Sequence, residues 1–153
     1  KESEFDEIFF KALEPLRASR RLGPVLFQLP PNLKADVPLL AAFLAKLPDD
    51  IRITFEFRNA SWLVDETYRL LERHGVALCL AESEKLEVPK VITAGFVYSR
   101  LRKDDYTPEE RREIGVRAKE QLTAGRDVYA FFKHEETPAG ALYAEELLAG
   151  QSS

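Results

Sequence analysis

Ile51-Arg52-Ile53-Thr54-Phe55-Glu56-Phe57-Arg58 alternates apolar and polar side chains along its whole length. Successive side chains of a β-strand point to opposite faces. Ile53, Phe55 and Phe57 therefore share one face, and Thr54, Glu56 and Arg58 the other. An open sheet with helices on both sides wants both faces apolar. A barrel strand turns its apolar face out to the helices, and its inward residues near the C-terminal end can be polar because they line the mouth. The stretch predicts a barrel strand. Two more runs repeat the pattern: Leu26 and Gln28 oppose Val25, Phe27 and Leu29, and Phe96, Tyr98 and Arg100 oppose Val97, Ser99 and Leu101.

Outward from this strand, the chain reads as strands and helices in turn. Towards the N-terminus, Val25–Leu29 is a short apolar run between Gly23-Pro24 and Pro30-Pro31, which reads as a buried strand. Between the two strands, Leu39, Leu40, Phe43, Leu44 and Leu47 recur at helical spacing after Asp36, and Pro48-Asp49-Asp50 stops them. Phe5, Ile8, Phe9, Ala12, Leu13 and Leu16 predict a helix before the first strand, kinked or ended at Pro15. Towards the C-terminus, a helix runs from about Ser61 or Asp65 to His74, with Gly75 as its cap. Val76–Leu80 is the third strand, residues 83–95 an irregular loop, and Phe96–Leu101 the fourth strand. Thr107-Pro108-Glu109-Glu110 has the form of a capping box with proline in the first turn, and its helix ends near Ala124-Gly125. Asp127–Lys133 is the fifth strand, and Thr137-Pro138 opens a last helix to Leu148.

Such alternation means an α/β chain with a parallel sheet. The expectation is a TIM-like (β/α) barrel, incomplete in this chain, with about five parallel strands alternating with helices. A full barrel has eight strands and about 250 residues, so roughly three units are expected to precede these 153 residues. Residues 1–149 read as part of a single domain and 150–153 as a tail. A partial barrel has open strand edges, which pair with other chains.

The bulk properties exclude some functions. With 45% hydrophobic and 31% charged residues the composition is that of an ordinary globular domain. A net charge of −4 argues against a strongly basic nucleic-acid surface. The single cysteine, Cys79, allows no internal disulfide and fits a reducing, cytoplasmic setting. No apolar run is long enough for a membrane helix. No Gly-rich phosphate loop, nucleophile elbow or zinc-spaced cysteine set is present.

Four stretches, in order, resemble one family. Gly23-Pro24-Val25-Leu26-Phe27-Gln28-Leu29-Pro30-Pro31, then Phe55-Glu56-Phe57-Arg58 with Ser61-Trp62, then Val97-Tyr98-Ser99-Arg100-Leu101, then Val128–Glu135 are similar to segments of the DUF72 (YecE-like) family. The resemblance covers about residues 1–149 and implies a TIM-like barrel near the xylose-isomerase and endonuclease IV group, with the family's N-terminal third absent here. It implies a fold and a candidate site, but no reaction.

Sites on barrels of this kind lie at the C-terminal ends of the strands. Gln28, Glu56, Arg58, Tyr98, Arg100, Lys133 and His134 fall there, with Trp62 a few residues beyond the second strand. Glu56 and His134 are the acid–base candidates. Glu56 and Arg58 share a face two residues apart, as a catalytic pair or as an ion pair closing the mouth. Arg58 and Arg100 suit an anion, because guanidinium binds carboxylate and phosphate in bidentate fashion. Arg100 alternatively partners Glu56 or Glu82. Gln28, Tyr98 and Lys133 are candidate binding residues, although Gln28 equally suits a core amide bonded to backbone and a tyrosine placed like Tyr98 more often fills the barrel. Trp62 either stacks on a ligand or covers the rim. Cys79 reads as a small core residue and His74 as a helix cap. The sequence leaves both cofactor and metal open. The leading expectation is an enzyme acting on a small anionic or phosphorylated ligand. The alternatives are a nucleic-acid-binding barrel using Arg100, Arg102, Lys103, Arg111 and Arg112, and a non-catalytic scaffold.

Overall fold

Where the sequence alternates, the chain extends. Val25–Gln28 (β1), Ile53–Glu56 (β2), Ala77–Glu82 (β3), Phe96–Leu101 (β4) and Asp127–Phe132 (β5) form one sheet, in the order β1-β2-β3-β4-β5. Every neighbouring pair is parallel. The computed structural model describes residues 23–133. The helices expected around residues 5–16 and 137–148, with His134 and Glu135, lie outside the described residues.

The helices are Val37–Leu44 (α1), Asp65–Arg73 (α2) and Pro108–Thr123 (α3), with a 3-10 turn at Ala60–Trp62. Asp36 caps α1 by accepting a hydrogen bond from the Leu39 amide at 3.1 Å, which satisfies one of the orphan donors of the first turn. Asp65 and Glu66 open α2 and Arg73 closes it, each on the favourable end of the helix dipole. His74 is its C-terminal cap residue, and Gly75 follows with φ of +64°, a left-handed conformation that a side chain would strain. The capping box of α3 is complete: Thr107 accepts from the Glu110 amide, and Glu110 accepts from the Thr107 amide.

Several expected boundaries move: β1 and β5 each end one residue early, and β3 runs on to Glu82. The strand read over residues 51–58 is confined to Ile53–Glu56, because Phe57 and Arg58 lie past the last residue that β1 pairs. The helix read from Leu39 to Leu47 closes at Leu44. The β3–β4 connection has no helix. It is a loop tied at Glu82–Glu87 by an isolated bridge and at Thr93, whose buried hydroxyl donates to Val76 O and accepts from Leu78 N.

Adjacent strands place the helices on one face. Phe27, Ile53, Phe55, Phe57 and Leu78 form a single core with Leu40 and Leu44 of α1 and with Leu70 and Leu71 of α2. Leu101 packs with Ile114 of α3, beside Ala130 and Phe132. An aromatic ladder runs through this layer: Phe27 on Phe55 at 5.0 Å, Phe55 on Phe57 at 6.0 Å, and Phe57 on Trp62 at 5.0 Å, all stacked. Phe43 of α1 meets Phe27 and Phe55 edge-on. Each buried ring is worth about 2–3 kcal/mol in removed apolar surface.

The opposite face holds Leu26, Ala77, Cys79, Phe96, Tyr98 and Tyr129 in a separate cluster. On this face Arg52, just before β2, reaches Asp127 at the start of β5 at 2.6 Å and the Tyr129 hydroxyl at 2.8 Å. Three strand spacings of a flat sheet are about 14 Å. The sheet is therefore curved, with this face concave. Among the described residues it is an open arc with β1 and β5 at its edges, not a closed barrel.

Candidate functional site

The concave face ends in polar groups where the strands end. Register sets Gln28 of β1 beside Glu56 of β2. The pairing of Thr54 with Ala77, continued by two residues, brings Cys79 of β3 level with Glu56. On β4, Tyr98 sits beside Cys79 and Arg100 beside Ala81. Cys79 and Ala81 are small, so Arg100 crosses over β3 and donates to Glu56 Oε2. Gln28 Nε2 donates to Glu56 Oε1 at 3.3 Å, and Cys79 Sγ lies 4.0 Å from Oε2. Glu56 is 5% exposed. A carboxylate so deeply placed needs a partner, and the partner is Arg100.

The sequence leaves open whether Glu56 closes on Arg58 or on Arg100. The structure selects Arg100. Arg58 shares Glu56's parity but lies beyond the paired strand, exposed to solvent, and has no carboxylate partner among the described residues. It joins Gln28, Glu56, Arg100, Lys85 and Arg102 around an open cleft of about 490 Å³ at the C-terminal ends of β1–β4. Ligand cavities commonly fall between about 300 and 1,000 Å³. The charged groups on its walls are four cations and one carboxylate, and that carboxylate is already paired to Arg100.

Other candidates are placed elsewhere. Trp62 is 2% exposed and belongs to the helix-side core. Its indole N–H donates to Leu33 O at 2.9 Å, while Asn59 Nδ2 donates to Pro31 O and Ser61 Oγ accepts from the Ala35 amide. The segment Asn59–Trp62 thus fastens the loop that follows β1, which forms one wall of the cleft at Pro31. Lys133 points to Asp104, Nζ to Oδ1 at 2.7 Å, and does not line the cleft. Tyr98 is buried one position below Arg100, against Tyr129 and Phe131. Burial raises its phenol pKa, with the nearby Cys79 adding to the effect. Burial also pushes the Cys79 thiol far up, and the charge of Glu56 pushes it further, so Cys79 is a core thiol and not a nucleophile.

Lys85 and Ser83 line the cleft from the β3–β4 loop, and sequence reasoning did not select either. The available signal was position: the loop leaves the C-terminal end of β3, where a parallel sheet gathers its functional loops. Among the described residues no group of three His, Cys, Asp or Glu side chains is placed to hold a metal ion, and no helix is long and apolar enough to cross a membrane.

Comparison with known proteins matches this architecture. The family model described as "Protein of unknown function DUF72" matches residues 1–152. A DUF72 family protein of Thermotoga maritima superposes with a TM-score of 0.80 at 24% identity, over 96% of this chain and 64% of its own. A DUF72 family protein of Enterococcus faecalis gives 0.78 at 16% identity, over 95% of this chain and 67% of its own. The chain thus spans about 64% of the length of the Thermotoga protein. No curated protein matches it. The chain belongs to the DUF72 family.

Proposed function

We propose that this DUF72 chain contributes five strands to a TIM-like barrel and that the barrel is an enzyme whose mouth binds a small anionic ligand, a carboxylate or a phosphate monoester. The observation that carries the reading is the charge on the cleft walls: Arg58, Lys85, Arg100 and Arg102 against Glu56. Arg58 is the principal anion contact, because Arg100 is already engaged with Glu56. The barrel reading draws support from the sequential parallel strand order, from helices packed on one face, and from the curvature that lets Arg52 meet Asp127.

In the reaction, Glu56 is the general base. Arg100 and Gln28 each hold one of its oxygens, which fixes its direction towards the cleft. A base must lie within hydrogen-bond reach of the proton that it takes, and such fixing supplies that geometry. His134, two residues beyond the end of β5 in the sequence, is the group we assign as its assistant. A cytoplasmic setting belongs to the same reading, in keeping with the free, buried thiol of Cys79. The nucleic-acid alternative draws less support. Of its basic residues, Lys103 pairs with Glu110 and Arg111 donates to the Tyr106 carbonyl.

The test is calorimetric titration with phosphate, sulfate and small carboxylates, on the intact protein and on Arg58→Ala. Binding that falls at least about tenfold in the variant, a loss of about 1.4 kcal/mol, is the expected result. Binding that survives the substitution unchanged overturns the role of Arg58. Failure of every anion to bind overturns the reading as a whole.

A further inference from the structure

The cleft is not uniformly cationic, and its acceptors stand together. Gln28 and Glu56 are side by side on β1 and β2, while Arg58, Lys85 and Arg102 come from the segments after β2, β3 and β4. An ionised carboxylate offers about four acceptor sites. Gln28 Nε2, Arg100 Nη1 and, more weakly, Cys79 Sγ occupy three of those on Glu56, which leaves one for a ligand. Because Gln28 donates through its amide nitrogen, its amide oxygen is left as a further acceptor on the same wall. A bare anion filling this cleft would satisfy the cations and face Glu56 with like charge. Only a ligand that brings donors as well as charge satisfies both walls.

Resting on the anion-binding reading above, we infer that the ligand is a polyhydroxylated anion, a sugar phosphate or sugar acid. Its charged group lies on Arg58 and Arg102, and its hydroxyls donate to Glu56 and Gln28. Gln28 is thereby a specificity-determining residue. A site built to accept from a hydroxyl rejects an analogue without one, because its own polar groups are then left unpaired.

Matched probes separate the two readings. Glucose 6-phosphate is compared with cyclohexylmethyl phosphate, and gluconate with hexanoate, by calorimetric titration of the intact protein and of Gln28→Leu. The expected result is that at least one hydroxylated member binds about tenfold or more tightly than its partner. In Gln28→Leu that gap should narrow severalfold, because one of the two acceptors is gone while Glu56 remains. Gln28 is exposed, so an unaltered melting temperature shows that the variant is folded. Equal affinity within both pairs overturns the inference and leaves the anion site standing. A gap that is undiminished in Gln28→Leu overturns the assignment to Gln28. Binding of none of the four probes removes the inference together with the anion-binding reading beneath it.

Discussion

The two faces of this sheet are made by the same residues taken alternately, yet they behave as different materials. The helix side is a continuous hydrocarbon layer, with Phe27, Phe55, Phe57 and Trp62 stacked in series and clamped by Leu40, Leu44, Leu70 and Leu71. The concave side is apolar at its middle levels, where Leu26, Ala77, Cys79, Phe96 and Tyr98 cluster, and it is ionic at both ends, at Arg52–Asp127 where the strands start and at Glu56–Arg100 towards their C-terminal ends. Stability concentrates on the first face. On the second, the protein keeps a buried carboxylate that a purely structural sheet has no need of. A buried ion pair is often no more stabilising than apolar residues of the same volume, so its retention points towards the cleft.

Four experiments break or sharpen this contrast. The largest effect should come from the helix side: Phe55→Ala removes the centre of the aromatic ladder and should cost about 4 kcal/mol in denaturant unfolding, with loss of the near-ultraviolet signal of the stacked rings. A cost under about 1 kcal/mol would mean that the layer does not act as a core. Next is Arg100→Ala, which leaves Glu56 buried without its cation and should cost about 3 kcal/mol. The double variant Glu56→Leu with Arg100→Leu should recover most of that loss while removing the carboxylate that the proposed reaction uses as its base. If the double variant is as unstable as the single, the concave face depends on the pair for its fold and the contrast fails.

The third concerns pH. Burial raises the Cys79 thiol in the folded state, whereas the unfolded thiol ionises near about pH 8.5. Above that pH the unfolded state has lost a proton that the folded state keeps, so stability falls as pH rises. The melting temperature should drop between pH 8.5 and 10 more steeply for the intact protein than for Cys79→Ala, and native Cys79 should resist iodoacetamide. Parallel slopes would show that the thiol titrates freely. The smallest structural effect belongs to Arg58→Ala. Its side chain is exposed, so stability should change by less than about 0.5 kcal/mol while anion affinity falls. A large loss of stability would make Arg58 part of the scaffold.

Much of this was legible in the sequence. Alternation in Ile53–Arg58 identified both faces correctly, because a period of two follows from strand geometry alone. The Thr107 capping box and the Gly75 and Gly125 helix ends were equally readable, since each depends on groups within a few residues of one another. The family segments were legible too, and all four lie within the residues that the family model matches. The partner of Glu56 was not. Arg58 is near in sequence and Arg100 is 44 residues away, and only the register across β3, with small residues at Cys79 and Ala81, brings Arg100 within reach. Trp62 reads as stacking on a ligand or covering the rim for a similar reason. Nothing near it in the chain reveals that its indole N–H is taken by Leu33 O.

Within the described residues, the sequence by itself determined the elements, their alternation and the parity of β1, β2 and β4. Those properties arise from local backbone preference and from the burial of apolar side chains. Tertiary structure alone decided which charges neutralise each other and which stay open to a ligand. Strands adjacent in the sheet lie tens of residues apart in the chain, and the curvature that draws Arg52 to Asp127 and Arg100 to Glu56 is a property of the whole sheet, not of any one strand.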